Sequence, residues 1–106
     1  MTIIENTINN FSILSLKGIL NASSAPQLKS HIEQSLESQS IVIDLEQVDF
    51  LDSSGLGILV RIARKKKVSG AVLRLANLNE RVKKVFELTN AYTLFDIFDD
   101  VAAAVI

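Results

Sequence analysis

The 106-residue sequence contains no cysteine, which rules out disulfides, thiolate metal sites and cysteine nucleophiles. It has little charge imbalance: 11 Lys and Arg stand against 12 Asp and Glu, a formal net charge of -1. That balance gives no support to a nucleic-acid binder working through overall charge. Long apolar runs are also missing, because Lys17, Asp44, Asp52 and Arg61 interrupt every candidate for a membrane span. The start, Met1-Thr2-Ile3-Ile4-Glu5, lacks the basic and apolar regions of a secretory signal. There is no P-loop, and Gly55-Leu56-Gly57 runs into Ile58-Leu59-Val60 rather than completing a dinucleotide fingerprint. With no repeats, linkers or low-complexity tracts, the expectation is one domain over residues 1–106, cytoplasmic, without cofactor or membrane insertion.

Histidine is scarce too. The only one, His31, falls on the polar flank of a helical pattern, far in sequence from Ser53 and Ser54, and reads as a solvated residue rather than a general base for Ser53. Asp49 and Asp52 are three apart, but two carboxylates in a connection read as capping or solvated groups, and no metal site is expected. The basic run Arg64-Lys65-Lys66-Lys67 has no interleaved aromatics and suits the solvated last turns of a helix.

What the chain does contain is a periodic pattern. Strand formers from about Thr2 to Lys17 flank Asn9-Asn10, a pair suited to a tight turn, and predict an antiparallel hairpin. Gly18 breaks the pattern and opens a connection through Ile19, Leu20, Asn21 and Ala22. Ser23, Ser24 and Pro26 mark a helix start, and Ala25, Leu28, Ile32 and Leu36 form one helical face. Ile41 to Leu45 has the continuous apolar character of a strand buried on both faces, followed by a short acidic connection. A second helix is expected from near Ser54 to Lys67 or Val68, with Leu56, Leu59, Val60 and Ala63 buried. Ala71 to Leu75 reads as a strand, and Asn77 or Asn79 caps a helix with Val82, Val85 and Phe86 inward. Leu94 to Phe98 suggests a last strand, and Val101 to Ala104 a short terminal helix. The order β-β-α-β-α-β-α-β-α predicts an α/β fold: a mixed sheet of four to five strands with an N-terminal hairpin and about four helices.

The chemistry concentrates in Asp52-Ser53-Ser54-Gly55-Leu56-Gly57. One capping residue would suffice to start a helix. Two serines after an Asp, with two glycines flanking a leucine, exceed that need; the glycines keep bulk away from the hydroxyls so that another protein can approach. A hydroxyl at a helix N-terminus tolerates conversion to a phosphate, because the dipole and free amides favour an anion there.

The stretch IVIDLEQVDFLDSSGLGILV resembles the signature of the STAS-domain anti-sigma factor antagonists, bacterial partner-switching regulators. The likeness extends to the N-terminal hairpin, to Gly18-Ile19-Leu20-Asn21, and to Asn79–Thr89. It implies a non-enzymatic regulator whose unphosphorylated form binds an anti-sigma factor that is also a serine kinase, freeing a sigma factor. Phosphorylation, which the resemblance puts at Ser53, ends the binding, and a serine phosphatase restores it. The implied partner surface is Asn21 with Asp52, Ser53, Ser54, Gly55, Leu56 and Gly57. One position departs: Asn21 stands where many phosphorylated members carry Asp, keeping size and hydrogen bonding but not charge. The alternative implied role is a constitutive STAS scaffold in a signalling or transport complex, a homodimer or larger assembly without a phospho-switch. A third reading, an enzyme with Ser53 as nucleophile, lacks a suitable base.

Overall fold

The computed structural model describes Met1–Ile106 and shows five strands and four helices in the expected order. Strands β1 (Thr2–Ile8) and β2 (Phe11–Leu20) form the antiparallel hairpin. Asn9 and Asn10 both take positive φ, 49° and 69°, as a twist-matched two-residue turn requires. Strand β3 (Ile41–Leu51) pairs parallel with β2, β4 (Leu73–Ala76) with β3, and β5 (Asp96–Phe98) with β4, so the sheet order follows the sequence. Helices α1 (Ala25–Ser35), α2 (Ser53–Ser69), α3 (Glu80–Thr89) and α4 (Val101–Ala104) follow strands β2, β3, β4 and β5 respectively. No helix is long and apolar enough to cross a membrane.

The two faces of β3 explain its unbroken apolar run. Ile41, Ile43 and Leu45 face the main core, with Leu28 and Ile32 of α1, Leu59 of α2 and Phe86 of α3. Val42 faces the opposite side, where Ile13, Ala76, Ala104 and Val105 form a smaller cluster under α4. Arg74 completes that second side. Its guanidinium lies 4.9 Å from the Phe11 ring centroid and 5.3 Å from that of Phe98, and it donates to the Ala104 carbonyl at 2.8 Å.

Several boundaries differ from the sequence expectation. The hairpin pairing ends at Lys17 as expected, but Gly18 does not open a connection: β2 continues to Leu20 against β3, absorbing irregularities between Ser15 and Lys17 and between Gly18 and Ile19, with Gly18 at φ +110°. Such a bulge needs a residue free to leave the usual β region, and glycine supplies it. The acidic connection after Leu45 is likewise strand, since Gln47 to Leu51 pair with Lys17 to Leu20. Local propensity missed this because β4 stops at Ala76 and the outer half of β3 has a partner on one side only. On α2 the buried face is Ile58, Leu59, Ile62 and Lys66, while Leu56, Val60 and Ala63 are only partly covered. The last strand is shorter than expected. Leu94 belongs to a 3₁₀ turn, Ala91–Leu94, and is exposed.

Candidate functional site

The site forms where the ends of β2 and β3 meet the start of α2. Asp52 is the N-cap of α2. Its carboxylate accepts the Gly55 amide at 2.9 Å, and its carbonyl accepts the Leu56 amide at 2.9 Å. Capping is therefore done by Asp52 alone, leaving the Ser53 and Ser54 amides as the remaining orphan donors of the first turn. Both serines are exposed, and neither hydroxyl hydrogen-bonds within the chain. The helix starts at Ser53, one residue earlier than expected.

The two glycines turn out to have different jobs. Gly55 is buried, and a Cβ built there would lie 2.2 Å from the Leu20 carbonyl oxygen and 2.9 Å from Leu51 Cδ1. Its missing side chain lets α2 pack directly on the end of β2, so its role is close packing rather than access to the serines. Gly57 is the opposite: a Cβ there meets nothing within 4 Å. It lies one turn below Ser53 on the same helical face and keeps that face bare.

Asn21 follows directly after Leu20, whose carbonyl also accepts the Asp52 amide at 3.4 Å, so the chain brings Asn21 beside the α2 start. Its side-chain oxygen accepts the Ser23 and Ser24 amides at 3.0 and 3.2 Å, which shapes the turn into α1. Ser24 precedes α1 but does not cap it; its hydroxyl donates to the Ile19 carbonyl at 2.6 Å and accepts the Asn21 amide at 3.0 Å. Leu56 is half-buried against the main core. His31 is held elsewhere, with Nε2 2.7 Å from Glu5 Oε1 on β1.

Three features escaped the sequence reading. Ile19 and Phe50 are paired across β2 and β3 and are 46% and 53% exposed, an apolar patch at the strand ends that lead into the serine turn. The signal was present in Phe50, but an assumed loop gives an aromatic residue no face to belong to. Asn79 does more than cap α3 by accepting the Val82 amide at 3.0 Å. Its amide nitrogen donates to the carbonyls of Leu45, Glu46 and Val48 at 3.2, 3.0 and 2.8 Å, in the region where β4 has ended. It thereby supports the outer half of β3 that carries Asp52. The third is Lys66, expected on a solvated face. It is 2% exposed, and its ammonium donates to the Leu36 carbonyl and, at 2.9 Å, to that of Glu37, closing the end of α1. Burial pushes its pKa below the ordinary 10.5, against the opposing pull of the Glu37 carboxylate.

Comparison with known proteins agrees with this architecture. The family model described as STAS domain matches residues 2–104. The chain is 32% identical to the anti-sigma-B factor antagonist of Bacillus subtilis over 85 residues, 79% of this chain and 78% of that one. The crystal structure of an anti-sigma factor antagonist from Mycobacterium paratuberculosis superposes with a TM-score of 0.85 at 25% identity, covering 97% of this chain and 89% of that one. SpoIIAA has been solved unphosphorylated and, from Bacillus, phosphorylated, with TM-scores of 0.77 and 0.71 at 20% and 19% identity. These matches cover 97% of this chain each, and 93% and 96% of the matched chains; the likeness there is one of fold. The match over nearly the whole length, together with a relative at this identity and coverage, shows that the chain belongs to the STAS domain family that includes the anti-sigma factor antagonists.

Proposed function

We infer that the protein is an anti-sigma factor antagonist controlled by phosphorylation of Ser53. Its unphosphorylated α2 turn binds a cognate anti-sigma factor that is also a serine kinase, and a serine phosphatase resets the phospho-form. The chain acts by binding and performs no catalysis. The observation that carries this reading is the division of labour at the helix start. Asp52 holds the cap through Gly55, so the Ser53 hydroxyl is exposed and uncommitted. A phosphate there would meet the helix dipole and free amides without disturbing the fold, while adding about -1.5 to -2 charges to the partner surface. Ile19 and Phe50 supply exposed apolar area at the strand ends that lead into the switch, and Gly57 leaves room for approach. Asn21 supports the turn through its amide oxygen, a positioning role that does not need the carboxylate charge. A relative of the same fold, SpoIIAA, exists in both phosphorylated and unphosphorylated forms.

The test is incubation with the cognate kinase and ATP, followed by mass mapping. A phosphate increment on Ser53, lost in Ser53→Ala, is expected, and Ser53→Asp should weaken kinase binding while folding normally. Tight binding by Ser53→Asp would refute the charge switch. A protein that self-associates and is never phosphorylated would be the constitutive scaffold instead.

A further inference from the structure

A groove of about 380 Å³ runs between α1 and α2, below the serine turn, in the size range of small-molecule sites. Its floor is Ile32, Ile58 and Ile62, three branched side chains that offer water no hydrogen bonds. Along the rim stand four cations, Lys29, Arg61, Arg64 and Lys65, against two carboxylates, Glu33 and Glu37. The chain's only ion pairs are His31–Glu5 and Lys83–Glu80, so none of these four cations is neutralised by a carboxylate. Lys66 also borders the groove, but its ammonium is already bound to the Leu36 and Glu37 carbonyls and ties the two helices together.

An apolar trough under unpaired guanidinium groups matches an amphipathic anion, not a purely polar one and not a neutral hydrocarbon. We propose that the α1–α2 groove binds a straight-chain aliphatic carboxylate, its alkyl chain on Ile32, Ile58 and Ile62 and its carboxylate at Arg61 and Arg64. The planar guanidinium fork suits a carboxylate bidentately, and the flexible stems of the rim lysines extend the apolar walls. Two kinds of interaction then contribute separately. Chain length reads the floor, at about three- to fourfold in affinity per buried methylene; head-group charge reads the rim.

The experiment is a titration of ¹⁵N-labelled protein with hexanoate, octanoate, 1-octanol and acetate, followed by amide chemical shifts. Saturable shifts at Ile32 and along Ile58 to Ser69 are expected with octanoate, and affinity about nine- to sixteenfold weaker with hexanoate, which is two methylenes shorter. Arg61→Gln with Arg64→Gln, both at exposed positions, should weaken octanoate at least tenfold and leave 1-octanol unchanged. Equal binding of octanoate and 1-octanol, equal binding of acetate and octanoate, or shifts elsewhere would overturn the proposal. So would absence of saturation, or a second copy of the chain covering the groove in solution.

Discussion

The same substitution made at two glycines of one helical turn should have opposite effects. In Gly55→Ala the new methyl would lie 2.2 Å from the Leu20 carbonyl oxygen, where ordinary contact begins at 3.4 Å. Helix α2 must therefore retreat by roughly 1 Å from the end of β2, against a packed core. Overpacking of this kind costs about 1–3 kcal/mol and can exceed that when backbone is the obstacle. The gain in helix propensity from Gly to Ala, about 1 kcal/mol in a helix interior, is smaller in the first turn and does not offset it. A net loss of about 2 kcal/mol lowers the melting temperature by roughly 8–16 °C for a domain near this size. The retreat also stretches the 2.9 Å bond from the Gly55 amide to Asp52, so the serine turn loosens with it. Gly57→Ala meets nothing within 4 Å, keeps the propensity gain and should raise the midpoint by roughly 2–6 °C. It should nevertheless weaken partner binding, because the added methyl occupies the bare face one turn below Ser53. Thermal unfolding by circular dichroism, paired with a binding titration, separates the two. A Gly55→Ala protein as stable as wild type would refute the packing argument, and a Gly57→Ala protein with unchanged affinity would refute the access argument.

Asn79→Ala removes a cap and the one amide nitrogen that donates to three β3 carbonyls, so a loss of about 2–3 kcal/mol is expected by urea denaturation, with hydrogen exchange accelerated in Gln47 to Leu51. Phe50→Ala and Ile19→Ala, at exposed positions, should leave the melting temperature within about 2 °C but weaken partner binding, as calorimetry would show. Lys66 makes stability depend on pH: with its folded pKa below 10.5, the unfolded chain holds more protons between that lowered value and 10.5. Stability should therefore rise with pH across that window, and rise less in Lys66→Met; parallel urea curves for the two proteins would sink this.

Much of the fold was legible because it depends on local pattern. The Asn9-Asn10 turn, the i, i+4 spacing of Leu28, Ile32 and Leu36, and the apolar run Ile41–Ile43 each carry their periodicity within a few residues. The candidate serine was legible for the same reason, since a cap, its hydroxyls and the following helix are adjacent in sequence. What stayed hidden depends on neighbours distant in the chain. The strand character of Glu46 to Phe50 comes from β2 and from Asn79, more than thirty residues away at Glu46. Lys66 looked like one of four equivalent basic residues until packing against α1 singled it out for the Leu36 and Glu37 carbonyls. Gly55 and Gly57 are indistinguishable as letters; only the position of the Leu20 carbonyl makes one a packing requirement and the other an opening. The sequence by itself determined the order of elements and the serine-bearing helix start, through periodicity and capping chemistry that act over one turn or one strand. The tertiary structure decided which side chains are buried, which glycine is closely packed and which apolar residues stay exposed at the strand ends before Ser53, because burial belongs to pairs of segments and not to either one alone.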